Sequence, residues 1–205
     1  MAGLFVTFEG IDRSGKTTQA RMLVDALGNE ALAVREPGGT EVGERLRELL
    51  KDPAASIAAE TEALLFAAAR AELVAQVIRP ALDDGKVVVS DRFLDSSLAY
   101  QGIARGLGVE DVEHINRFAT GGLLPDLTIL LSIRPQRAAA RAGQLDRFED
   151  EGDSLQNAVF DAYRSLANAD PERWRVVDAD RPSSEVHAEV LHVVQEARTT
   201  AGARA

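Results

Sequence analysis

The sequence predicts an α/β domain of three layers, a five-stranded parallel sheet flanked by helices on both faces. Three observations carry this prediction. Short apolar runs alternate with helix-period stretches along the whole chain, the pattern of parallel strands joined by crossover helices. Runs such as "VVV" (87–89) and "TILLSI" (128–133) are continuously apolar, as strands covered on both faces must be. A glycine-rich turn, "GIDRSGKT" (10–17), joins the first apolar run to the first helical one.

Taken in order, "LFVTFE" (4–9) is the first strand and "KTTQARMLVDAL" (16–27) a helix stopped at Gly28. "ALAVRE" (31–36) is the second strand, and "EVGERLRELLKD" (41–52) a helix that ends before Pro53. Residues 58–83 form a long Ala-rich helical stretch, bent near Pro80. A turn at Gly85 leads into the third strand, "KVVVSD" (86–91), and helical segments follow near 94–104 and 110–120. "LTILLSI" (127–133) is the fourth strand. Residues 135–168 are helical with a polar, charged break at 143–153. "WRVVDA" (174–179) is the fifth strand and 183–198 the last helix, with 198–205 expected as a disordered tail.

The 205 residues suit a single domain spanning 1–205, long enough to bury a core. Without cysteine there is neither a disulfide framework nor thiol chemistry. A formal charge of -10 argues against a nucleic-acid polymer as the main partner, because backbone binding needs a basic surface. It leaves room for a single nucleotide in a locally basic pocket. The opening "MAGLFVTFEG" has no basic segment and meets Glu9 early, so neither a signal peptide nor a membrane span is expected, and the cytoplasm is the expected location.

Gly10, Gly15, Lys16 and Thr17 satisfy GxxxxGK[ST] between a strand and a helix, the context that motif requires. Backbone N–H groups and the helix dipole then cradle phosphate. Residues Gly10, Ile11, Asp12, Arg13, Ser14, Gly15, Lys16, Thr17 and Thr18 are the expected ATP-binding loop. Lys16 would reach the transferring phosphates and the Thr17 hydroxyl would bind Mg²⁺. There is no NKxD-type guanine reader, and "VVVSD" is followed by Arg92 rather than by a second acid. An arginine there suits a phosphorylated second substrate better than a water nucleophile.

"LLFAAARAE" (64–72) sets Phe66 and Arg70 at i and i+4, offering a ring and a guanidinium on one helix face. Taken alone, the ring reads as core; beside Arg70 it can stack on a base while the guanidinium bonds a base carbonyl. "SDRFLDSSLAYQG" (90–102) gathers Asp91, Arg92, Ser96, Ser97, Tyr100 and Gln101 at a strand's carboxyl end, where open α/β sheets bind ligands. Asp91 suits a metal-water contact, and Arg92 a bidentate phosphate contact.

Jointly, "FEGIDRSGKTTQ", "REPGGT", "LLFAAARAE", "DRFLDSSLAYQG" and "LDRFE" resemble the thymidylate kinases, over about residues 3 to 195. The resemblance implies a P-loop kinase fold with a short lid, phosphorylation of dTMP to dTDP by ATP and Mg²⁺, and a homodimer. It places Phe66 on the thymine ring, Arg70 on its exocyclic oxygen, Ser97 and Gln101 along the base, and Pro37 beside the sugar. Tyr100 would crowd the sugar 2′ position and Asp12 would accept from its 3′-hydroxyl. Arg92 would hold the acceptor phosphate, with Asp91 and Thr17 at the metal. Arg13, Lys16, Arg92 and Asp91 are the implied catalytic set.

The break at 143–153 stands where the family has its lid, with Arg141 and Arg147 as its basic residues. Many bacterial members have an arginine-rich run just before it, whereas Ala140 and Ala142 occupy two such places in this sequence. Arg13 in the phosphate loop resembles the eukaryotic arrangement, so Arg13 is expected to supply the transition-state charge. Two rival readings remain: a kinase for another nucleoside monophosphate, and a nucleotide-gated switch that binds ATP without turnover.

Overall fold

The computed structural model describes residues 3–141 and 153–204. Arg147 and nearly all of the expected lid lie outside them.

Five parallel strands form one sheet in the order β2-β3-β1-β4-β5. They are β1 Leu4–Glu9, β2 Ala31–Arg35, β3 Val87–Asp91, β4 Leu127–Ser132 and β5 Trp174–Asp178. Strand β1 is central, and its alternating side chains feed two cores. Leu4, Val6 and Phe8 join one, and Phe5 joins the other with Val88 and Phe93. A parallel sheet covered on both faces is therefore what the continuous apolar runs produced.

Helix α1 (Lys16–Leu27) follows the glycine turn, α2 (Glu41–Lys51) follows β2, and α3 (Ala59–Leu73) packs on α2. The bend expected near Pro80 begins earlier. A π-helical turn at Val74–Ile78 separates α3 from α4 (Arg79–Asp83), and Pro80, the second residue of α4, follows that turn directly. Helix α5 (Leu94–Ser97) opens into a second π-helical turn, Leu98–Ala104, where the N–H of Arg105 reaches the Tyr100 carbonyl at 2.8 Å. Then come α6 (Val109–Thr120), α7 (Pro135–Ala139) and α8 (Asp153–Ala169).

The last helix, α9, runs Ser183–Arg204, across most of the stretch expected as a disordered tail. The Thr199 and Thr200 hydroxyls donate back to the carbonyls of Gln195 and Glu196, and Ala201 and Ala203 are strong helix formers.

Candidate active site

Two cavities open at the carboxyl end of the sheet, and they meet over the phosphate loop. The first encloses about 700 Å³ and is lined by Asp12, Pro37, Phe66, Asp91, Arg92, Ser97, Tyr100 and Gln101 among others. The second encloses about 510 Å³ between the loop, the start of α1 and the β5–α9 connection, with Gly15, Thr18, Arg141, Ala179 and Arg181 on its wall. Arg13, Lys16 and Thr17 line both.

The loop's geometry requires its glycines. Gly10 has φ of 142°, and a Cβ there would lie 2.7 Å from the Leu131 carbonyl oxygen. Gly15 has φ of 101° and opens α1. Inside the loop, Lys16 is buried, and its Nζ donates to the carbonyls of Gly10 at 3.1 Å and Ile11 at 2.7 Å. Ile11 contributes its backbone, while its side chain lies in the core. Burial, then the neighbouring Arg92 charge, push the Lys16 ammonium down to about 8. The Thr17 hydroxyl donates to Asp91 Oδ2 at 2.5 Å, joining two hard oxygen donors on the seam between the cavities.

Arg13 and Arg92 both hold left-handed backbone, with φ of 60° and 72°. A non-glycine residue there is strained and persists only where its surroundings over-determine it. For Arg92 those surroundings are visible. Its N–H donates to the Phe8 carbonyl at 3.0 Å, the Ser90 hydroxyl donates to its carbonyl at 2.6 Å, and the next N–H, of Phe93, donates to Glu9 Oε1 at 2.8 Å.

The Arg92 guanidinium is equally fixed. Nη1 donates to the Gly10 carbonyl, Ser96 Oγ and the Tyr163 hydroxyl, each at 3.1 Å, and Nη2 donates to Asp12 Oδ1 at 2.5 Å. It lies 5.2 Å from the Tyr100 ring centroid. Against the cost of burial, Tyr100, Tyr163, Asp12 and Glu9 hold its charge well above the ordinary range.

Glu9 was not anticipated as a site residue. It ends an apolar strand and is fully buried, and its carboxylate accepts from Ser96 at 2.6 Å and Tyr163 at 2.7 Å. With both hydroxyl protons turned to Glu9, both oxygens present lone pairs to Arg92. Burial and the Asp95 charge raise Glu9 to about 7. The available signal was a lone acid in a buried strand, since a buried charge must find partners.

Asp12 Oδ2 accepts from Gln156 Nε2 at 2.8 Å and from the Tyr100 hydroxyl at 3.2 Å. Burial alone would raise its pKa, but Arg92 and Lys16 outweigh burial and hold the carboxylate below its ordinary range. Gln156 was also missed, because a polar residue on a helical segment distant in sequence carries no local signal.

Phe66 stands on the wall of the first cavity rather than in either core. Arg70 stands behind that wall instead of on it. It is 1% exposed, and its donors go to Glu36 Oε2 at 2.6 and 2.8 Å, Ser97 Oγ at 3.1 Å, the Phe93 carbonyl at 3.1 Å and Asn116 Oδ1. Of these partners, Glu36 and Ser97 line the first cavity, so Arg70 is joined to that wall through them. Burial outweighs Arg70's charge and raises Glu36.

Arg141 reaches the phosphate loop. Its Nη1 donates to the carbonyls of Arg13 and Ser14 at 3.1 and 3.2 Å, and its Nη2 to Ala179 at 2.5 Å. Arg13 answers with bonds to the carbonyls of Ala139 and Arg141 at 3.4 and 3.3 Å. The two arginines therefore clasp α7 to the loop.

Comparison with known proteins agrees with this geometry. The sequence profile described as thymidylate kinase matches residues 8–190. The chain is 48% identical to the thymidylate kinase of Symbiobacterium thermophilum over 94% of its own length and 93% of the relative's. It is 46% identical to that of Deinococcus radiodurans over 95% and 97%. The crystal structure of thymidylate kinase from Ehrlichia chaffeensis superposes with a TM-score of 0.80 at 32% identity, covering 95% of this chain and 100% of that one.

Proposed function

Because the chain belongs to the thymidylate kinase family, we propose that its two joined cavities hold dTMP and ATP across a shared phosphate loop. The protein phosphorylates dTMP to dTDP. The observation that carries the assignment of the cavities is that Arg13, Lys16 and Thr17 line both of them. A phosphoryl group passing from one nucleotide to the other must cross that seam.

The second cavity, beside Gly15 and the β5–α9 connection, takes ATP. The first takes dTMP, with its base against Phe66, Ser97 and Gln101, its sugar near Pro37, Tyr100 and Asp12, and its phosphate at Arg92. Asp12 keeps acceptor capacity for the 3′-hydroxyl beside its bonds to Gln156 and Tyr100. The acceptor phosphate is already an anion at neutral pH, so no general base is required. Lys16, Arg13 and Arg92 then supply positive charge along the line of transfer, and catalysis is positioning plus electrostatics.

Thr17 and Asp91 are hard oxygen donors placed together, and that set fits Mg²⁺. When bound, such an ion neutralises charge on the nucleotide phosphates. A non-catalytic switch leaves the Arg92 cluster without a purpose, so the kinase reading is preferred.

The chain is also proposed to pair with a second copy. Val42 and Leu49 of α2, Leu64 of α3 and Phe118 of α6 are exposed, and α3 packs against both α2 and α6. No described helix is long and apolar enough to cross a membrane. ADP release measured against dTMP, dUMP, dCMP, dGMP and AMP tests the assignment. Turnover restricted to dTMP and, more weakly, dUMP is expected, and preference for a purine or cytosine nucleotide overturns it.

A further inference from the structure

We infer that Glu62 is a positioning residue for base recognition, fixing which end of the Gln101 amide meets the acceptor's base. The inference rests on the reading of the first cavity as the dTMP site.

Glu62 lies one helical turn before Phe66 on α3, so both point to the same side. It is 1% exposed, and its partners explain how a carboxylate tolerates that burial. Arg105 Nε donates to Oε1 at 2.6 Å and Arg105 Nη2 to Oε2 at 3.1 Å, a two-pronged ion pair. Oε1 also accepts from Gln101 Nε2 at 2.8 Å.

The two ends of a glutamine amide are alike in shape and opposite in hydrogen bonding. Only a neighbour of fixed character can choose between them. An ion-paired carboxylate accepts and never donates, so it takes the amine end. The carbonyl end of Gln101, which lines the first cavity, is left for the ligand.

That choice carries chemical information. Thymine presents N3–H beside the C4 carbonyl, whereas cytosine presents an N3 lone pair beside an amine. A carbonyl oxygen on Gln101 matches the first edge and opposes the second. Ser97 completes the match. Its oxygen accepts from Arg70 at 3.1 Å, which leaves its proton to donate to a base carbonyl. Helix α3 thus works from behind the wall, Glu62 setting an acceptor and Arg70 setting a donor.

The test compares dTMP with 5-methyl-dCMP, which share sugar, phosphate and methyl group and differ only along this edge. Turnover of dTMP by the unaltered chain tests the cavity assignment by itself, whatever Glu62 does. Given that turnover, E62Q replaces a pure acceptor by an amide that can offer either end, and Gln101 can turn. The ratio of kcat/KM for dTMP over 5-methyl-dCMP is expected to fall about tenfold or more. The double variant E62Q/Q101E returns an obligatory acceptor to position 101 and keeps a carboxylate near Arg105, and it is expected to recover most of the ratio. Parallel losses for both substrates, or an unchanged ratio, in E62Q overturns the inference. Should melting show that E62Q has lost its fold, the double variant decides alone: a ratio within about threefold of the unaltered chain supports the inference, and a tenfold loss overturns it.

Discussion

Arg92 and Asp12 form a closed ion pair, Nη2 to Oδ1 at 2.5 Å, between the end of the third strand and the phosphate loop. A carboxylate inside a phosphate cradle looks misplaced until its partner is seen. Asp12 holds the Arg92 guanidinium, the group proposed to meet the acceptor phosphate, and its own proposed partner is a sugar hydroxyl rather than a phosphate. Asp12→Asn keeps the shape and removes the charge. Losing one partner of such a pair costs about 2 kcal/mol or more, roughly thirtyfold. The loss is expected in kcat/KM for dTMP, with ATP binding largely intact. Steady-state kinetics with each substrate varied in turn checks this, and an equal loss for both substrates contradicts it.

Arg13 and Arg141 are clasped to each other's backbone, yet they do different work. Arg141 donates to loop carbonyls and to Ala179, so it shapes the second cavity, the one proposed to take ATP. Arg13 lines both cavities, at the seam proposed for transfer. Arg13→Ala is expected to lower kcat by ~10³, in the range of arginines that stabilise phosphoryl transfer. Arg141→Ala is expected chiefly to raise KM for ATP. A larger kcat loss for Arg141→Ala reverses the assignment.

Glu9 sets a pH signature. Its carboxyl is raised from the ordinary 4.5 to about 7, by burial first and by Asp95 second, so the folded state disfavours the ionised form. The contribution of Glu9 to stability is then greatest below pH 4.5 and is lost as pH rises through 7, by up to about 3 kcal/mol. Activity runs the other way. Ionised Glu9 turns the Ser96 and Tyr163 hydroxyls so that they accept from Arg92, so kcat/KM is expected to rise through pH 7. Glu9→Gln removes both dependences. Denaturant melts and pH–rate profiles of the two proteins from pH 5 to 8.5 measure it, and superimposable profiles rule the role out.

The strand–loop–helix start and the alternating elements were legible because their signals are local. GxxxxGK[ST] fixes a turn within eight residues, and a continuous apolar run fixes a buried strand. Arg92, Tyr100 and Gln101 were legible for the same reason, clustering at one strand end. Glu9, Gln156 and Glu62 were not. Each acts on a partner far along the chain, as Gln156 does on Asp12 across 144 positions, and no periodicity records such pairs. The π-helical turns at Val74–Ile78 and Leu98–Ala104 were hidden too, since each shifts the apolar spacing by a single position within one short stretch.

Phe118 tests the proposed pairing of two copies. A phenylalanine 92% exposed on α6, beside a layer that also exposes Leu64 and Leu49, is an apolar surface that self-association would cover. Phe118→Glu is expected to shift the protein from dimer to monomer in light scattering at micromolar concentration. A mass unchanged by the substitution places the interface elsewhere.

Lys16 gives the last prediction. Burial first, and Arg92 second, lower its ammonium from 10.5 to about 8, so near pH 8.5 much of it is neutral before nucleotide arrives. Nucleotide phosphates favour the charged form and raise it again, so ATP binding must take up a proton. Affinity for ATP is expected to weaken as pH rises from 8 towards 10.5, because an increasing share of the binding energy is spent on protonation. Calorimetry at pH 8.5 in two buffers of different ionisation enthalpy should give different apparent binding enthalpies. Lys16→Arg should abolish that difference, since a guanidinium stays charged throughout the range. Equal enthalpies in both buffers for the unaltered chain mean that Lys16 is already charged in the empty loop.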